Sequence, residues 1–192
     1  MEDSEKSSVP EHLEQYLGEI AHGWSGEDEL QSIQVVCFNG KPQQGTTTYA
    51  TLGLNDMILA MKGTRTIRQE LVISACTSFP EKDIARFLLY CAEKIKKRGH
   101  ALLRGEVVNM GYPLIEGATV TALYSTNPTP FDDGFSEFRN TTPPVIFVLL
   151  VPITDNEVSL INKYGWNWFE DMLETQDPDI WDLKRSHEIE YR

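Results

Sequence analysis

The stretch VIFVLLVPITDNEV, from Val145 to Val158, constrains this chain more than any other. Seven apolar residues run from Val145 to Val151 without a polar interruption, and Pro152 follows. A half-exposed strand alternates apolar with polar side chains, so the unbroken run predicts a central strand covered on both faces. Seven residues fall far short of the roughly 20 that span a bilayer, so no membrane segment is expected. Pro152 cannot donate to a strand ladder and predicts the strand's end. Thr154 and Glu157 then have capping-box spacing, in which each side chain satisfies a backbone N–H at a helix start. The helix is predicted onward through Val158, Leu160 and Ile161 to Tyr164.

A buried strand turning into a capped helix is also where α/β enzymes keep a nucleophile or a phosphate loop. A nucleophile elbow needs glycines around a serine, as in G-x-S-x-G, and this turn has Pro152, Ile153 and Thr154 instead. The nearest approach to a phosphate loop, NGKPQQGTTT, has Lys41 after the wrong glycine and lies between two predicted strands. His12, His22, His100 and His187 share no ligand spacing, and each is expected to be a surface or packed histidine. The acids Asp177, Asp179 and Asp182 lack the central glycine and the position-twelve glutamate of a calcium loop. Cys37, Cys76 and Cys91 form no CxxC and no paired spacing, which argues against a disulfide framework or a zinc site and fits a reducing cytosol. No catalytic residue, metal or cofactor is expected.

The rest of the chain predicts one domain over residues 1–192, alternating helices and strands with no internal repeat. A helix is expected to open near Pro10, carry Leu13, Tyr16, Leu17 and Ile20 on one face, and stop by Gly23. Strands are expected at Ile33–Phe38, Thr46–Gly53 and Thr66–Ala75, with Ile67, Leu71, Ile73 and Ala75 on one face of the last. The clearest helix follows, capped by Ser78, opened by Pro80 and Glu81, and closed by Lys94, Lys96, Lys97, Arg98 and Gly99. That basic cluster complements the helix dipole, and no aromatics interleave it for base stacking. Further strands are expected near Gly105–Val108 and Thr119–Ser125, then a long turn-rich connection over 126–144. A last helix should bury Trp168, Phe169, Met172 and Leu173. The fold class predicted is α+β: a mixed, largely antiparallel sheet packed by the helix at 80–98 and by the terminal helices.

Charge is unevenly placed. The formal net charge is −12, with −8 on residues 1–30, +2 on 31–154 and −6 on 155–192. A negative field repels nucleic acid and anionic membrane and steers basic partners. The acidic, polar N-terminus, MEDSEKSSVPEH, is neither a signal nor a transit peptide, and a cytoplasmic location is expected.

Several blocks occur together in an order that resembles the suppressor-of-fused family: TYATLGLND at Thr48–Asp56, ELVISA, FPEKDIARFLLY, the VIFVLLVPITDNEV segment running into NWFEDMLE, and DIWDLKRSHEI. The resemblance covers roughly residues 20–190, and the length suggests a stand-alone bacterial-type member. It implies a binding module without a cofactor. Animal members sequester a transcription factor through a short peptide, whereas bacterial members are expected to be immunity proteins or antitoxins. The function it implies here is neutralisation of a cognate toxin, a basic nuclease above all, by blocking its active surface. The alternative is a peptide-binding adaptor without a toxin. Within the matched block Tyr49 and Asp56 are candidate partner contacts, beside Gly53 and Leu54 as structural residues. Their structural alternatives are a half-buried strand aromatic and a turn-bonding carboxylate. Asp182 and Arg185 match the family's terminal motif and are expected to form an ion pair or a carbonyl clamp. Glu170, Asp171, Glu174, Asp177 and Asp179 are candidate contacts to a basic partner, or else a solvated face.

Overall fold

The computed structural model describes residues 7–26, 32–186 and 188–191. Helix α1 spans Val9–Leu17; strands β1 (His22–Ser25), β2 (Gln34–Asn39) and β3 (Thr46–Leu52) follow, then a 3-10 turn at Leu54–Asp56. Next come β4 (Leu59–Ala60), β5 (Thr66–Cys76), α2 (Glu81–Arg98), β6 (Val107–Asn109), β7 (Ala122–Thr126) and β8 (Glu137–Phe138). The chain ends with β9 (Val145–Ile153), α3 (Asp155–Tyr164) and α4 (Trp166–Gln176).

One sheet runs in the order β1-β2-β3-β5-β9-β7-β6, with β4 beside β5 and β8 beside β9. Every pairing is antiparallel except that of β5 with β9. A parallel pairing needs a long crossover, which α2 and strands β6 to β8 supply. The predicted mixed, mostly antiparallel α+β fold is the one observed.

Strand β9 sits between β5 and β7 and separates two cores. Val148 and Leu150 face a core shared with Ile84, Leu88, Cys91 and Ile95 of α2. Val145, Phe147, Leu149, Val151 and Ile153 face the other, shared with Leu13 of α1, Ile161 of α3 and Phe169 of α4. This is why the run lacks polar alternation. Each fully buried aliphatic side chain there contributes about 1.5–3 kcal/mol.

Four local expectations are corrected. Strand β9 continues through Pro152, which pairs with Leu123. Its register with β5 ends at Leu149, so the missing N–H deprives no β5 partner. Ser78 does not cap α2; the N-cap is Pro80, without a side-chain hydrogen bond. Helix α1 stops at Gly18 and not at Gly23, which lies in β1. Its start is a full capping box between Ser8 and Glu11. The turn-rich 126–144 connection contains the two-residue β8.

Candidate functional site

Both groups of the box at the strand–helix junction are spent on structure. Thr154 is 3% exposed, its hydroxyl accepts from Glu157 N at 3.3 Å, and Glu157 Oε2 accepts from Thr154 N at 2.9 Å. Glu157 is fully buried, accepts from Ile189 N at 3.0 Å through Oε1, and pairs with Arg185 Nη2. Arg185 Nη1 donates to the Pro152 carbonyl at 2.7 Å. The expected carbonyl clamp is present, but the ion partner is Glu157 and not Asp182, whose carboxylate accepts from Lys184 N at 2.9 Å. Asp182 caps its own turn, and Arg185 ties the C-terminal segment to β9. His187, within the same motif, lies outside the described residues.

The matched turn after β3 is also held from below. Gly53 has φ +98, and an added Cβ would meet the Ser32 carbonyl oxygen at 2.2 Å, so both conformation and space require glycine. Leu54 is fully buried. The wholly buried Glu70 of β5 accepts from Gly53 N at 2.9 Å, from Asn55 N at 3.0 Å, from Asn55 Nδ2 and from Thr51 Oγ1. Arg68 Nη1 donates to the carbonyls of Asn55 at 2.7 Å and Asp56 at 3.2 Å. Burial pushes the Glu70 carboxyl up to about 7 against the pull of the Asn55, Thr51 and Gly53 donors. Tyr49, expected at a partner interface, is 1% exposed. Its ring belongs to the core under α2, so in this conformation it offers a partner no surface. Asp56 is exposed.

The acids of α4 divide into two kinds. Glu170 is enclosed: Arg104 makes a two-nitrogen ion pair with it, Tyr124 Oη donates at 2.9 Å and Thr126 Oγ1 at 2.8 Å. Burial alone would raise its carboxyl; the donors from Arg104, Thr126 and Tyr124 outweigh that and hold it below the usual range. The Arg104 guanidinium lies 5.0 Å from the Trp166 ring centroid. Glu170 is therefore a bonded strut, and it also lines the neighbouring cleft. Asp171, Glu174, Asp177 and Asp179 are exposed.

Beside two of these acids, Glu174 and Asp177, lies a cleft of about 670 Å³. It exists because β5 and β9 part after Val72 and Leu149. The C-terminal segment bridges the gap, with Cys76 N donating to Trp181 O at 2.9 Å and Thr119 N to Leu183 O at 3.0 Å. Leu149, Val151, Leu173 and Trp181 give the cleft apolar walls, and Glu174, Asp177 and the Arg104–Glu170 ion pair line it as well. The result is an apolar slot with an acidic border, suited to a partner that presents apolar side chains among basic ones. The sequence marked the acids; the cleft arises from strand divergence, which no local pattern encodes.

Comparison with known proteins agrees with this architecture. Residues 29–186 match the family described as Suppressor of fused protein (SUFU), so the chain belongs to that family. It is 24% identical over 161 residues to Immunity protein YqcF of Bacillus subtilis (strain 168), covering 83% of each chain. A suppressor-of-fused homologue from Neisseria gonorrhoeae FA 1090 superposes with a TM-score of 0.75 at 19% identity, over 94% of both chains. The Sufu–Fu complex matches with a TM-score of 0.71 at 15% identity, over 94% of this chain and 90% of that one. Drosophila Suppressor of Fused matches with a TM-score of 0.62 at 16% identity, over 82% of this chain and 42% of that one. Among the described residues no helix is long and apolar enough to cross a membrane.

Proposed function

We propose that this protein is a cytoplasmic immunity protein that binds and neutralises a cognate toxin, with a basic nuclease domain as the toxin class. The observation that carries the reading is the cleft between α4 and β9, where exposed acids border apolar walls. Nucleases hold phosphate with basic surfaces, and an acidic cleft competes for the same surface. The distant relative named as an immunity protein supports the same direction. The protein acts by occupying its partner, without chemistry of its own.

A peptide-binding adaptor is the second reading, favoured by the apolar walls and Trp181. The two part company in salt. Blocking of a basic domain weakens as salt screens the charges, whereas peptide gripping follows the peptide's apolar side chains. Tagged protein retrieved from native lysate at low salt, with partners identified by mass, tests the proposal. The expected partner is a stoichiometric basic protein, toxic when expressed alone and silenced by co-expression. A stoichiometric partner whose toxicity is absent, or untouched by co-expression, would overturn it.

A further inference from the structure

Neither the histidines nor the cysteines show ligand spacing along the chain, yet the fold brings one of each together with a carboxylate. The antiparallel register of β1 and β2 places His22 directly opposite Cys37. The first turn of α2 delivers Glu81 to the same spot. Cys37 Sγ lies 3.6 Å from His22 Nδ1, and His22 Nε2 lies 2.7 Å from Glu81 Oε2. One ligand atom from each of the three residues falls within 4.8 Å of the other two.

Thiol, imidazole and carboxylate are the donor set of a borderline-soft, four-coordinate divalent cation. With Zn–S of about 2.3 Å and Zn–N or Zn–O of about 2.0 Å, tetrahedral geometry puts ligand atoms about 3.3–3.6 Å apart. The Cys37–His22 separation already matches that edge. With Nδ1 as the ligand atom, Glu81 gives up its bond to Nε2 and swings toward Nδ1, a movement of about an ångström or more that exposed side chains can make: His22 is 49% and Glu81 37% exposed. Cys37, by contrast, is fixed and fully buried in β2. The His22 ring is steadied edge-on by Trp24, with centroids 4.8 Å apart.

We infer that His22, Cys37 and Glu81 form a binding site for a divalent transition-metal ion of the zinc class, with solvent as the fourth ligand. The site ties the outermost strand β1 to the start of α2 across β2. A thiol–imidazole–carboxylate relay for nucleophilic catalysis uses the same three groups, but the geometry disfavours it. Cys37 has no solvent-exposed surface to offer a bulky substrate, and burial pushes its thiol up, away from the reactive thiolate. Ligation needs only that the cation enter from the exposed His22–Glu81 side, and the bound cation itself displaces the thiol proton.

The test uses the full chain, stripped with a chelator and titrated with Co²⁺ as the probe. One equivalent should produce a thiolate-to-cobalt charge-transfer band with the intense visible bands of a four-coordinate ion, and Zn²⁺ should bleach both. Cys37→Ser should abolish the charge-transfer band, and Cys76→Ser should leave it intact. His22→Ala and Glu81→Gln alter exposed side chains and should each weaken cobalt binding about tenfold or more. Zn²⁺ should raise the melting temperature of the unaltered protein and not that of His22→Ala. Absence of a charge-transfer band at millimolar Co²⁺ would overturn the inference. So would cobalt affinity unchanged in both His22→Ala and Glu81→Gln.

Discussion

Glu70 gives the sharpest quantitative prediction, because a fully buried carboxyl with a raised pKa links stability to pH in a known direction. Burial moves it from 4.5 to about 7 in the folded protein. A carboxyl whose folded pKa is raised favours the folded state most when protonated. Its contribution is complete below about 4.5 and is lost as pH rises through about 7. At roughly 1.4 kcal/mol per pKa unit, the loss between pH 5 and pH 8 is about 2–3 kcal/mol from this group. Glu70→Gln removes the titration and can keep the turn. Its amide oxygen accepts from Gly53 and Asn55, and its NH₂ faces Thr51 Oγ1, which also accepts from Leu71 N. Urea unfolding of both proteins at pH 5, 6, 7 and 8 reads the difference. Glu70→Gln should gain on the unaltered protein by about 2–3 kcal/mol across that range, a midpoint shift of about 1 M at a typical urea slope. Stability curves parallel from pH 5 to pH 8 would refute the reasoning, and would mean that the donors hold Glu70 ionised throughout.

The remaining predictions concern the scaffold. Thr154→Ala should cost about 1 kcal/mol through the lost cap and leave partner binding intact at permissive temperature, by denaturant titration beside a binding assay. Arg185→Met strands the buried Glu157 and should cost about 3–5 kcal/mol, well above the cap alone, in the same titration. Gly53→Ala combines a left-handed backbone with a collision at the Ser32 carbonyl, and should lower stability by more than about 1 kcal/mol. Glu170, whose carboxyl is held low, contributes stability that is present above about 4.5 and lost as pH falls through its lowered value. Glu170→Gln should therefore show a shallower acid limb in thermal unfolding below pH 4.5.

The long apolar elements were legible because burial on two faces leaves a mark that short segments cannot leave. The Val145–Val151 run announced β9, and the stretch opened by Pro80 and Glu81 and closed at Gly99 announced α2. Strands β1, β4 and β8 hold two to four residues, too few for either period to show, and exist because a longer neighbour offers a free edge. Glu70 was invisible for another reason. A charged residue beside Leu71–Ala75 suggests a solvated strand end, and only the returning turn at Gly53–Asn55 explains its burial. Tyr49 was singled out from a block of resemblance, and such a block does not distinguish a contact from a core residue. Arg185 was found and its partner was not, because Glu157 lies 28 residues away on another element. The His22–Cys37–Glu81 group depends on strand register, and spacing along the chain cannot reveal it.

Whether the exposed acids of α4 and of the segment just after it meet a basic partner is read from association kinetics. The purified partner would be mixed with the unaltered protein and with Asp171→Lys/Glu174→Lys/Asp179→Lys, at low and at high salt. Three reversals at exposed positions move the formal charge from −12 to −6. Association of the triple variant should be at least about tenfold slower at low salt, with the difference closing as salt screens the field. Equal association rates at low salt would contradict it and move the interface off α4.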